Sequence, residues 1–204
     1  MQYDETAAEK KRDELSQAAR ASATTGSLPE PTLDRILAAF ARITPPQEPE
    51  ITVGLVIISS PYSEPKAESR KVGNVLLNWR RLIDIVPDIS LAGLGAATLP
   101  VSPAIAAVLA GLYVWNKLWR GSVEELSNTE AVTMLALWQN CDSHKNISEQ
   151  DGLSRTNELL ASYSMPPLSQ RQYAAAIDKL LKIECIAINE GVIRLIEWVR
   201  VKYT

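Results

Sequence analysis

The side chains able to do chemistry are few. Two cysteines, Cys141 and Cys185, stand 44 positions apart, and the sole histidine is His144. A structural zinc site takes about four thiolate, imidazole or carboxylate ligands, and Cys141 with His144 supplies two. A cysteine nucleophile needs a base held in line with it, which a three-residue separation in a polar loop does not provide. Cys185 lies in the apolar run Ile183 to Ile188 and reads as a small buried hydrophobe. Gly93-Leu94-Gly95 has no third glycine in place and no Lys-Ser/Thr after it, so it is neither a dinucleotide fingerprint nor a phosphate loop. Acidic pairs such as Asp13-Glu14 and Glu124-Glu125 sit in charged stretches that read as solvated helix faces. Acid–base catalysis calls for a more enclosed setting. These residues predict a protein that is not an enzyme, with no catalytic residue, metal or cofactor.

The chain around them has 204 residues, 46% of them hydrophobic, with 21 basic and 24 acidic side chains and a net charge of −3. That composition fits one or two small globular domains. Charge is unevenly spread: residues 1–88 hold 11 basic and 13 acidic groups, 89–119 hold only Lys117, and 120–204 hold 9 and 11. The opening MQYDETAAEKKRDELSQ is charged throughout and lacks the apolar core of a secretory signal, which predicts a cytoplasmic protein.

Residues 1–30 offer Leu15 as almost their only large apolar group, so a flexible segment is expected, at most a frayed helix over 4–22. Residues 31–120 form a middle region. Leu33, Ile36, Leu37 and Phe40 recur at helical spacing, and Pro45, Pro46 and Pro49 end that helix. Ile51 to Ile58 is rich in β-branched residues and predicts a buried strand, followed by a loop over Ser59 to Pro65. Over 66–86, Val72, Val75, Leu76, Trp79, Leu82, Ile83 and Val86 predict a second helix, whose polar face carries Lys66, Arg70, Lys71, Arg80 and Arg81.

From Ile89 to Asn116 the chain is uncharged for 28 residues. A membrane span needs roughly 20 continuous apolar residues. Tyr113, Trp115 and Trp119 with Lys117 and Arg120 would suit its boundary. Pro100 and Pro103 cut the run into pieces too short to span alone, which favours a buried helical pair. A kinked span, placing the protein on the inner side of a membrane, is the alternative.

The C-terminal region, 121–204, is the most regular. Ser127 and Glu130 form a capping box before Ala131, Met134, Leu135 and Trp138. A second helix follows near 148–163 with Leu153, Leu159, Leu160 and Tyr163 as its apolar positions. Pro166-Pro167-Leu168 makes a turn, and Ser169 with Gln172 caps a third helix that places Tyr173, Ile177, Leu180 and Leu181 inward. Two strands then surround Asn189-Glu190-Gly191. The last strand, Val192 to Tyr203, is long and apolar on both sides. One side therefore needs a second partner, which could be the 51–58 strand, the uncharged segment or another protein.

On these residues, Leu126 to Tyr203 resembles the winged helix-turn-helix superfamily. Leu126-Ser127 precedes the first helix, Pro167-Leu168-Ser169 precedes the third, and KLLKIECIAINEGVIRL runs from that helix into the wing. The resemblance covers roughly two fifths of the chain. It implies three helices plus a β-hairpin, with the start of the third helix able to enter a major groove. Outward positions there are Ser169, Arg171, Gln172 and Ala175, with Lys179 and Lys182 further along. Two features oppose strong duplex binding: residues 120–204 carry more acid than base, and Glu190 stands at the wing tip.

The expected architecture is therefore α+β and mostly helical, with a winged helix after an apolar helical middle. The function expected first is a non-enzymatic accessory or adaptor subunit of a larger assembly, a DNA-acting one among the candidates. It would dock on protein partners or a second copy through Leu76, Trp79, Leu82, Ile83, Trp115 and Trp119. The alternatives are a transcription regulator that binds DNA through Ser169, Arg171, Gln172, Lys179 and Lys182, and a membrane-anchored protein held by residues 89–116.

Overall fold

A computed structural model of the chain describes residues 3–23, 28–45, 73–91, 102–121 and 124–203. Within them the protein is α+β and mostly helical. Its N-terminal part contains α1 (Glu5–Ala23), α2 (Glu30–Phe40), β1 (Ala41–Thr44), β2 (Gly73–Asn78), α3 (Trp79–Leu91) and α4 (Pro103–Arg120). The C-terminal part contains α5 (Asn128–Asn140), β3 (Asn146–Ser148), α6 (Glu149–Ser162), α7 (Gln170–Lys182), β4 (Ile186–Asn189), β5 (Val192–Leu195) and β6 (Trp198–Tyr203).

Helix α4 is the hub. The Ser102 hydroxyl accepts a hydrogen bond from the Ala104 N–H, Pro103 occupies the first turn where its missing donor costs nothing, and Gly121 ends the helix at φ 70°. Ala104 to Ala110, Leu112, Val114, Trp115 and Leu118 are all buried, so the helix is apolar on nearly every side, as an interior helix must be. It packs against α1, α2, α3 and α5. The described part of the uncharged segment thus lies at the end of α3 and in α4, inside the protein, while residues 92–101 fall outside the described residues. Among the described residues no helix is long and apolar enough to cross a membrane.

The helix allowed over 4–22 is present, and it is packed rather than frayed. Helix α1 spans Glu5–Ala23 and packs along α4, burying Ala8, Leu15, Ala18 and Ala19. Small side chains make this possible, because alanines bring two helix backbones close and let one leucine suffice as an anchor. Glu14 reaches across to Lys117 of α4 at 3.3 Å.

Residues 73–78 also differ. The helix expected over 66–86 is a strand followed by a helix: β2 runs to Asn78, and α3 begins at Trp79. Every position of β2 is buried except the half-buried Leu76, so the strand is packed on both faces. The side chain of Asn78 accepts a hydrogen bond from the Arg81 N–H at 2.9 Å, capping α3. The 51–58 strand, the 59–65 loop and residues 66–72 lie outside the described residues.

Two antiparallel sheets result, in the orders β1-β2-β6 and β3-β5-β4. The long final strand of the sequence reading is broken at Ile196-Glu197. Its first half pairs with β3 and β4, and its second half crosses to pair with β2, with Leu76 opposite Arg200 and Asn74 opposite Lys202. The strand's second partner is therefore β2. A division at residue 121 consequently does not follow sheet membership. The core is likewise shared, running from Leu15 and Phe40 through Trp115 to Tyr173 and Leu195.

Gly73 is held at φ 95°, and a Cβ there would meet the Thr44 carbonyl oxygen well inside van der Waals contact. Gly121, at φ 70°, faces open space. Gly73→Ala is therefore expected to cost roughly 1–3 kcal/mol and Gly121→Ala about 1 kcal/mol in urea denaturation. Equal losses at the two sites would contradict the close approach of β1 and β2.

Candidate functional site

The third helix of the C-terminal part is positioned by three devices. The Asn157 side chain of α6 brackets Leu168, accepting from its N–H at 2.7 Å and donating to its carbonyl at 3.2 Å. This fixes the turn through Pro166 and Pro167. The Ser169 backbone N–H and hydroxyl both donate to Gln172 Oε1, at 2.9 and 2.7 Å, and the Gln172 N–H donates back to Ser169 Oγ. Finally, Gly152 of α6 lies directly beneath the Tyr173 ring hydroxyl, where a Cβ would overlap the oxygen. Burial, with the Glu149 carboxylate nearby, pushes the Tyr173 phenol above its usual range, so it stays protonated.

Arg171, Gln172 and Lys182 are exposed on this helix, as is Ser169 at its N-cap. Ser169 and Gln172 are engaged with each other in the capping box. Lys179 turns away from them: its ammonium donates to the Glu125 carbonyl at 3.3 Å and lies 3.6 Å from the nearly buried Glu130 carboxylate. That same carboxylate accepts from the Ser127 N–H and hydroxyl at the start of α5. Lys179 therefore ties α7 to α5. Beside the tie lies a groove of about 360 Å³ lined by Leu109, Tyr113, Leu126, Ser127 and Lys179, among others. The hairpin beyond α7 turns at Glu190 and Gly191, both at positive φ (50° and 76°), the geometry of a two-residue type I′ turn.

The apolar candidates divide differently. Trp79, Leu82 and Trp115 are at most 1% exposed and belong to the protein's own core, so they are not free to anchor a partner. Trp79 packs at a tilt against Phe40 with centroids 4.8 Å apart and against Trp115 at 5.5 Å, and the Trp115 indole N–H donates to the Ile183 carbonyl at 2.8 Å. Leu76 and Ile83 are half-buried. Trp119, 45% exposed at the end of α4, remains available, and the structure adds Val192, 39% exposed beside the hairpin turn, which sequence reasoning had assigned to packing.

The thiols are placed as inert groups. Cys185 is fully buried and Cys141 partly so, and burial pushes both above the ordinary thiol range. His144 is exposed in the loop between α5 and β3. Among the described residues no cluster of three His, Cys, Asp or Glu side chains could hold a metal. Compared with protein-family models, curated proteins and solved structures, the chain matches none.

Two outcomes follow from this packing. Gly152→Ala should destabilise the protein by roughly 1–3 kcal/mol through overpacking. Tyr173→Phe in the same chain should recover part of that loss, which a double-mutant cycle measures; strict additivity would refute the contact. With a disulfide reagent near pH 8, Cys141 should react slowly and Cys185 only on unfolding. Rapid labelling of two thiols in the native protein would contradict their burial.

Proposed function

We propose that the protein is a cytoplasmic, non-enzymatic accessory or adaptor subunit of a larger assembly, built on a C-terminal winged helix fused to a helical body. The observation that carries the reading is connectivity. Residues 128–195 follow the order α5-β3-α6-α7-β4-β5, and their sheet has the order β3-β5-β4. In a winged helix-turn-helix the first short strand likewise pairs with the last strand of the wing, and the third helix is the exposed one.

Protein docking is favoured over duplex reading by the fate of the charges. Lys179 is committed to Glu125 and Glu130, the wing tip carries Glu190, and Asp178, the residue before Lys179 on α7, is exposed. A duplex reader usually neutralises several phosphates at once. What the described surface does offer is two exposed large apolar side chains, Trp119 and Val192, and Trp is a residue type that anchors interfaces. The test is affinity capture from the native source with and without nuclease. Partners that survive nuclease and are lost with Trp119→Ala plus Val192→Ser support the reading; partners lost with nuclease alone overturn it.

One observation favours a DNA-binding regulator instead: Ser169, Arg171 and Gln172 are exposed together at the first turn of α7, where backbone donors and the helix dipole suit a phosphate. On that reading Arg171→Glu with Lys182→Glu abolishes retention of duplex DNA, and Glu190→Lys strengthens it. Retention unchanged by all three substitutions would reject it.

A further inference from the structure

We infer that the cleft between the end of α2, strand β1 and the first turn of α3 binds a phosphate dianion, free or as the monoester of a small molecule. The inference goes beyond the winged-helix reading, because the described residues that line the cleft all lie between positions 39 and 81. The cleft has a volume of about 110 Å³, and those seven residues include two cations and no acid. In a chain of net charge −3 that is a local excess of positive charge.

Strand pairing and the turn into α3 bring the lining together. Arg42 stands opposite Leu76 in the β1-β2 register, and Asn78 follows Leu76 by two positions, so the two share a side of β2. Thr44 lies two positions beyond Arg42 on β1, and Arg81 comes from the first turn of α3. Leu76 and Phe40 supply the apolar part of the lining. Both arginines are exposed. Neither guanidinium has an ion-pair or hydrogen-bond partner among the described residues.

The observation that points to a ligand is Asn78, which lines the cleft yet is only 5% exposed. Its Oδ1 accepts from the Arg81 N–H at 2.9 Å, which leaves Nδ2 as a donor with no partner among the described residues. A buried donor left unmatched is costly, and the side on which this one can be met is the cleft. The same hydrogen bond makes Asn78 the N-cap of α3, a helix of 13 residues, so the positive end of the helix adjoins the same space. Donors therefore converge from β1, β2 and α3: two guanidinium forks, a carboxamide and the Thr44 hydroxyl. A tetrahedral group carrying three or four oxygens can meet several of these directions at once, whereas a planar carboxylate fills one arginine fork. The small volume suits a single such group rather than a polymer.

The experiment is isothermal titration calorimetry of the full chain at about pH 7.5, where a phosphate monoester is largely dianionic. Inorganic phosphate, phenyl phosphate and acetate are separate titrants at constant ionic strength, and phosphorus NMR line broadening gives a second readout for the two phosphates. Phosphate is expected to bind, with acetate weaker on the order of tenfold, and each of Arg42→Gln and Arg81→Gln should weaken phosphate on the order of tenfold, the scale of one charge-assisted hydrogen bond. Arg42→Lys keeps the charge without the fork and should recover only part of that loss. Circular dichroism confirms that the variants, all at exposed positions, fold. Phenyl phosphate binding more tightly than inorganic phosphate identifies the monoester as the ligand; equal or weaker binding identifies free phosphate. Absence of phosphate binding by both readouts up to about 10 mM, where even a millimolar site is largely filled, overturns the inference. So does acetate binding as tightly as phosphate. Phosphate binding that survives Arg42→Gln with Arg81→Gln but is lost with Arg171→Gln also overturns it and assigns the anion to the start of α7.

Discussion

The rest of the structure depends on what surrounds Trp115. Its ring closes a cluster with Phe40 and Trp79, which joins α2, α3 and α4, and its indole N–H donates across to the Ile183 carbonyl where α7 ends. A carbonyl at a helix terminus has no partner within the helix, and a buried indole N–H needs an acceptor. Each satisfies the other. The bond therefore ties the end of α7 to α4 and so to the aromatic cluster of the N-terminal body.

A second join sits at Ile196-Glu197. The Ile196 N–H donates to the Cys185 carbonyl at 3.0 Å, holding it to the wing side, while the Glu197 carbonyl accepts from the Trp79 N–H at 3.2 Å, holding it to the start of α3. Two consecutive residues are thus secured to different layers, and the chain passes from one sheet to the other without a loop. The same residue, Trp79, contributes its backbone to this crossing and its ring to the aromatic cluster. The winged-helix reading is accordingly one of a rigid extension of the helical body, whose partner would meet both as one surface.

Local signals were legible and long-range ones were not. Helix α2 follows from Leu33, Ile36, Leu37 and Phe40, and both capping boxes are where Ser127 and Ser169 place them. The hairpin around Glu190-Gly191 follows from its turn chemistry. Each of these is decided within a few residues. Strands β1, β2 and β3 were missed or misassigned because they are short and owe their conformation to partners far away in sequence; β6 was read as strand, but not its break from β5 at Ile196-Glu197. Val75, Leu76 and Trp79 have helical spacing by coincidence, since a strand packed on both faces imposes little alternation. The candidate site shows the same division: the exposure of Arg171 follows from helix periodicity, whereas the withdrawal of Lys179 toward Glu130 and the burial of Trp115 depend on how the helices are stacked. The one clue to α1 was its alanine content, which reads as featureless until a second helix is laid against it.

The placement of β6 bears on how the protein comes into being. The edge of β2 that it covers is made by residues 73–78, and the strand that covers it is made by residues 198–203. A ribosome delivers these two segments more than a hundred residues apart, roughly ten seconds at the ordinary pace of synthesis. Through that interval the first sheet has an open edge of unpaired backbone groups, the feature by which strands recruit other chains. Completion of the N-terminal body thus waits on a strand made more than a hundred residues later, and a nascent or truncated chain lacking it would be the form most in need of a chaperone.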